Sequence, residues 1–212
     1  MVLFCLMVGA ICATGETRWA PAPPIILYTT FQHEPPAAVL AAIENEVDSI
    51  MAPNGLRFEW RSLDGVRGQE VSAELAVITF QGRCDSAGLA GRSKLAGALG
   101  WTHVSDGEIL PFTDIGCDRV REFVQRSLFF IDPDARQEAY GRALGRVVAH
   151  ELYHIFANTT HHASWGVAKE AYTVQDLLSD EFQFQAKESH LLRSNRPAAP
   201  TEPVAAPPDN RP

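Results

Sequence analysis

The chain has 212 residues, 18 lysines and arginines against 26 aspartates and glutamates, a net charge of -8, and 46% hydrophobic residues. That apolar fraction is enough for one cored domain and excludes wholesale disorder or a fibrous rod. The acidic balance, spread without blocks of like sign, argues against nucleic acid as a partner, because nothing here would be drawn to a phosphate backbone over long range.

The opening run MVLFCLMVGAICA is apolar but too short to cross a bilayer. It is read as a secretory signal or N-terminal anchor within residues 1–15, although no lysine or arginine precedes it. A secreted or periplasmic location follows, with no stable membrane span. Cys5 and Cys12 would leave with the signal. Cys84 and Cys117 then remain, and in an oxidising compartment a disulfide between them is expected.

A domain is expected over residues 20–192. PPIILYTTF, a β-branched and aromatic run behind Pro23 and Pro24, predicts a strand. Val39, Leu40, Ile43, Val47 and Ile50 recur at helical spacing until Pro53-Asn54-Gly55 stops them. LRFEWRSL alternates, and ELAVITF is continuously apolar, so two further strands are predicted, the second suited to a sheet interior. The glycine-rich stretch from Gly82 to Gly100 predicts a surface loop. Beyond it, Asp106-Gly107 between short extended pieces predicts a hairpin over Trp101 to Phe112. REFVQRSLFFIDP fits a short helix or a strand equally well.

From Pro133 the helical period returns through Ala135, Ala139, Ala143, Val147 and Val148. A last helix is predicted from a Thr173 cap, with Asp176 three residues on, to about Leu192. Residues 193–212, rich in proline and alanine, have almost nothing to bury and are expected to be a disordered tail.

Four of the seven histidines lie in GRVVAHELYHIFANTTHH. Residues four apart on a helix lie one turn above each other, so His150 and His154 can direct their imidazoles at one metal ion. Glu151, about 100° around the helix, cannot share that direction, but it can act as general base on a water held at the ion. Imidazole nitrogen suits zinc, and an open fourth position lets that ion acidify its water, so Zn2+ is the expected cofactor. Accident would produce HExxH in a chain this long roughly once in 100. Two histidines hold a catalytic zinc poorly, so a third protein ligand is required.

This stretch resembles the zincin metalloproteases, and within them the metzincins, whose signature runs HExxHxxGxxH. Ala157 stands at the glycine position and Thr160 at the third histidine. Asn158, the next best residue for the left-handed turn that ends a helix, is followed three residues on by His161. The resemblance therefore implies His161 as third ligand after one extra residue. His162 is an alternative, and a glutamate-ligated zincin would instead use Glu181, then Asp180, then Glu170. Metzincins also place a methionine beneath the metal; no methionine follows Met51 here, so an apolar residue between Val167 and Ala171 is expected in that role.

What the resemblance implies is an α+β, zincin-like fold: a mixed twisted sheet packed on the active-site helix, with a C-terminal helix. The implied activity is hydrolysis of a peptide or protein substrate by a monomer. The substrate would lie along an edge strand within Trp101–Phe112, with Tyr172 as a candidate oxyanion stabiliser. The readings that compete with a three-histidine peptidase are the glutamate-ligated zincin and a secreted binding domain that keeps the fold without turnover.

Overall fold

In the computed structural model, which describes residues 24–195 apart from 69–71, 73 and 88–96, the first apolar run forms β1 (Ile25–His33). The proposed signal and most of the proposed tail lie outside the described residues. Helix α1 (Ala37–Met51) starts just behind Pro36 and buries Val39, Ala42, Ile43, Val47 and Ile50. β2 (Phe58–Ser62) and β3 (Leu75–Arg83) follow. Both pair with β1 in parallel, which requires crossover connections of the kind α1 supplies.

β4 (Gly100–Ser105) and β5 (Glu108–Gly116) form the expected hairpin. Its turn uses Asp106 and Gly107 at φ of 53° and 85°, the paired left-handed geometry that matches the twist of two strands. β5 pairs in parallel with β3, so the sheet runs β2-β1-β3-β5-β4 and β4 is an edge strand. The segment left open between helix and strand is helix α2 (Cys117–Leu128), with Val120, Val124 and Leu128 buried. The Cys84–Cys117 disulfide is formed, its Cα atoms 4.9 Å apart, and ties the end of β3 to the start of α2.

Helix α3 (Pro133–Phe156) carries the HExxH sequence. Its alanine and valine face packs on α1 and on the sheet. Gly141 and Gly145 allow the close approach: a Cβ at Gly141 would lie 2.7 Å from the Val39 carbonyl, and one at Gly145 would lie 2.9 Å from that of Ile43. Ile25, Leu27, Ile43, Ile78, Ile115, Leu144 and Val148 are all wholly buried between these layers. Each contributes about 1.5–3 kcal/mol relative to exposure. The architecture is thus the expected one, a mixed sheet packed on the HExxH helix.

One predicted element is corrected. The last helix begins as expected, with Thr173 and Asp176 forming a reciprocal capping box, but this α4 (Val174–Leu178) ends after five residues. A separate helix α5 (Ala186–Ser194) closes the chain's described part. The break comes from Arg146 of α3. Its guanidinium donates to the Asp176 carbonyl at 2.8 Å and the Ser179 carbonyl at 2.6 Å, so acceptors of a further helical turn are taken. No helix among the described residues is long and apolar enough to cross a membrane.

Candidate metal centre

Helix α3 presents His150 and His154 on one face near its C-terminal end, where they are 7% exposed each. The helix stops at Phe156 because Asn158 turns left-handed at φ 47°. The reversed chain brings the Thr159 carbonyl to His154 Nδ1, 2.7 Å away, while the Val167 carbonyl lies 2.8 Å from His150 Nδ1. A carbonyl only accepts, so both Nδ1 atoms carry the proton and donate it. Both Nε2 atoms are left as bare lone pairs, and they face each other at 3.1 Å.

Two acceptors that close repel unless a positive charge lies between them. A proton is a poor answer: burial first, then the neighbouring His154, lowers the pKa of His150 to about 3, and burial lowers that of His154. A metal ion is a good one. Bonds of about 2.0–2.1 Å at a tetrahedral angle hold two nitrogens about 3.3–3.4 Å apart, close to the separation found. A third imidazole completes the set. His162 stacks near-parallel on His150 with ring centroids 5.3 Å apart and meets His154 edge-on at 4.8 Å. One ligating atom from each of the three lies within 4.8 Å of the others.

The resemblance implies His161 as third ligand with His162 as its alternative, and the geometry brings His162 to the pair. Residues 159–162 belong to no helix, and in extended chain alternate side chains share a side. Thr160 and His162 accordingly line the cleft in front of the helix. His161 falls between them, exposed, with its backbone N–H donating to the Thr159 hydroxyl at 3.1 Å. Glu181, Asp180 and Glu170 are likewise outside the imidazole group. The Tyr172 hydroxyl sits behind His150, 2.8 Å from Nδ1, and donates to the Val167 carbonyl. That is the nitrogen turned away from His154, so Tyr172 holds the ring from behind rather than facing the position between the imidazoles. Val167 and Ala168, of the stretch expected to take the methionine's place, are buried, and Val167 reaches the site through its backbone carbonyl.

Glu151 is buried at 5% exposure and lines the same cleft, of about 330 Å³. Burial pushes its carboxyl up to about 7, against hydrogen bonds from Thr102 that favour the ionised form. The Thr102 hydroxyl on β4 lies 2.8 Å from Glu151 Oε2 and 3.2 Å from the Glu151 carbonyl. Gly100 makes room for this carboxylate, since a Cβ there would come within 2.9 Å of Oε1 and of a Val147 methyl. The opposite wall is apolar, formed by Trp101, Val104 and Ile109 of the β4–β5 hairpin.

Among solved structures, the archaemetzincin of Methanopyrus kandleri is similar to this chain, with a TM-score of 0.49 and 14% identity, covering 81% of this chain and 95% of that one. No family model matches the chain, and no curated protein matches it.

Three residues that shape the site were missed by the sequence reading. Thr102 and Gly100 sit in a strand 49 and 51 residues before Glu151, and no pattern couples them to it. Arg146 did leave a signal. It is a charge in the buried stripe of α3, one turn before His150, and it is 1% exposed. It pairs with Glu46 of α1 at 2.6 Å and lies 4.8 Å from the Phe182 ring centroid, so it joins α1, α3 and the segment after α4. His103 pairs with Asp114 and does not line the cleft.

Proposed function

We propose that this chain is a zinc-dependent peptidase that works outside the reducing cytosol. The observation that carries the reading is the pair of Nε2 lone pairs at 3.1 Å, with both Nδ1 protons committed elsewhere. His150, His154 and His162 are the proposed ligands. Zinc bound by them would polarise a scissile carbonyl and acidify a water. Glu151 takes the proton from the attacking water and passes it to the leaving amine, a task that suits a carboxyl near 7 because it must both accept and release at neutral pH. Thr102 fixes the direction of that carboxylate. The strand β4 borders the cleft at the sheet's edge, where an extended peptide would add to the sheet as a further strand. The HExxH resemblance to zincins supports the same chemistry. The Cys84–Cys117 disulfide supports a secreted or periplasmic location, since such bonds persist where thiols are not kept reduced.

The test is metal analysis of the purified protein together with cleavage of a peptide library. Single alanine changes at His150, His154 and His162 are expected to abolish metal retention, while His161→Ala and Glu181→Ala retain it. Glu151→Gln is expected to keep the metal and lose cleavage by more than about 100-fold, the scale of general-base catalysis. Full metal in His162→Ala, or undiminished cleavage in Glu151→Gln, would refute the assignment. Stoichiometric metal with no cleavage of any peptide would make the chain a binding domain on the same fold.

A further inference from the structure

Glu170 lies on the segment between His162 and α4, one residue past the bridge that pairs Ala163 with Lys169. It lines the cleft in front of the imidazoles, and it also lines an adjoining cavity of about 270 Å³. The two cavities share Ala98, Gly100, His150, Glu151 and Glu170. Glu170 therefore stands where they meet, on the path a bound chain would take past Glu151.

Among the described residues no ion pair engages Glu170, and no lysine or arginine lines either cavity. Its neighbour Lys169 is committed to Asp176 at 2.7 Å. Arg119 at the rim donates to the Ala98 carbonyl at 3.0 Å and lies 5.7 Å from the Trp101 ring centroid. With a metal ion held by the imidazoles and faced by Glu151, Glu170 is the carboxylate of the cleft lining left to meet a bound substrate, within a chain of net charge -8. A carboxylate with no ion-pair partner among the described residues attracts a positive group.

We propose that Glu170 is a specificity-determining residue that receives a positively charged group of the substrate, either the ammonium of a free peptide N-terminus or a lysine or arginine side chain. The proposal rests on the peptidase reading and names its substrate class.

The experiment uses the full chain loaded with zinc and peptides of one core sequence, with the N-terminus free or acetylated and one side chain cationic, neutral or acidic. Glu170 is exposed, so cationic peptides are expected to show a KM about 2- to 5-fold below neutral ones, the size typical of one solvent-exposed ion pair. Glu170→Gln is expected to erase that preference through KM rather than kcat, and Glu170→Lys to invert it toward acidic peptides, at unchanged zinc content. A preference lost on acetylation assigns the N-terminal ammonium, and one that survives acetylation and follows the side chain assigns lysine or arginine. The same peptides are titrated calorimetrically into Glu151→Gln and Glu151→Gln/Glu170→Gln protein, which reads the preference without turnover. If no peptide is cleaved, the peptidase reading falls while this titration still decides on Glu170. A cation preference that persists in the Glu170→Gln proteins, or none in the parent, overturns the proposal.

Discussion

Replacing Thr102 by valine removes one hydroxyl and leaves the shape of the edge strand. Two hydrogen bonds to Glu151 are lost, one of them to a carboxylate oxygen at 2.8 Å. A bond to a charged acceptor is worth about 1.5–3 kcal/mol net, and one pKa unit corresponds to about 1.36 kcal/mol. Because the Thr102 hydroxyl bond to Oε2 favours the ionised carboxyl, its loss raises the pKa by about 1–2 units, while the Thr102 backbone bond that acts in the same direction is kept. As the proposed general base Glu151 would work in its ionised form, so the acid limb of kcat/KM is expected to move to higher pH by the same interval. From a starting value of about 7, the ionised fraction at pH 7 falls about 5- to 50-fold. Bound zinc shifts the absolute position of the limb in both proteins, and the displacement between them is the predicted quantity. The assay is steady-state cleavage across about pH 5–9, with zinc content and Tm measured on the same samples. Thr102→Ser should restore the wild-type limb. A valine variant whose acid limb and kcat coincide with the wild type, at equal zinc, would refute the view that Thr102 sets the base.

Gly100→Ala places a methyl within 2.9 Å of Glu151 Oε1, and it is expected to lower kcat by about 10-fold or more through a misdirected base while zinc content stays constant; unchanged turnover would show that the carboxylate has room to spare. Removing the disulfide by Cys84→Ser/Cys117→Ser frees a connection with a sequence separation of 33 and is expected to cost about 3–4 kcal/mol, read as a fall in Tm of about 8–14 °C by calorimetry. In metal-free protein, Glu151 is raised from 4.5 to about 7, so the stabilisation that its neutral form provides is present below pH 4.5 and lost as pH rises to 7. The stability difference between metal-free wild type and Glu151→Gln should therefore move against the wild type by about 3 kcal/mol across that interval, and a flat difference in urea titrations would show that Glu151 is not buried as described.

Much of the fold was legible because regular elements write their geometry into the chain. The 3.6-residue period marked α1 and α3, the continuous apolar run marked β3, and Asp106-Gly107 marked the one hairpin. Asn158 was legible as a helix stop because few residues other than glycine tolerate a φ of 47°. What stayed hidden depends on contacts distant in sequence. α4 ends where Arg146, 30 and 33 residues away, captures the carbonyls of Asp176 and Ser179. Thr102 reaches Glu151 across 49 residues. Thr102 carries no local mark, because a threonine in a strand is ordinary by propensity alone, and Arg146 is marked only as a charge in an apolar helical stripe, which does not name the carbonyls it takes.

The third imidazole shows the same division at its sharpest. A helix fixes the relative direction of His150 and His154, so their spacing was sufficient evidence that they converge. After Asn158 the chain has no such ruler, and counting residues from the helix end selects His161, whereas a shift of one residue puts the neighbouring side chain on the opposite side. The segment from Thr159 to Val167 does more than deliver His162. The Thr159 carbonyl takes the Nδ1 proton of His154, and the Val167 carbonyl takes that of His150. Without those two acceptors the helical imidazoles would be free to turn the other nitrogen, or a proton, toward each other. The helix therefore supplies two rings, and the loop supplies both the third ring and the two oxygens that leave the first two with their Nε2 lone pairs facing one point.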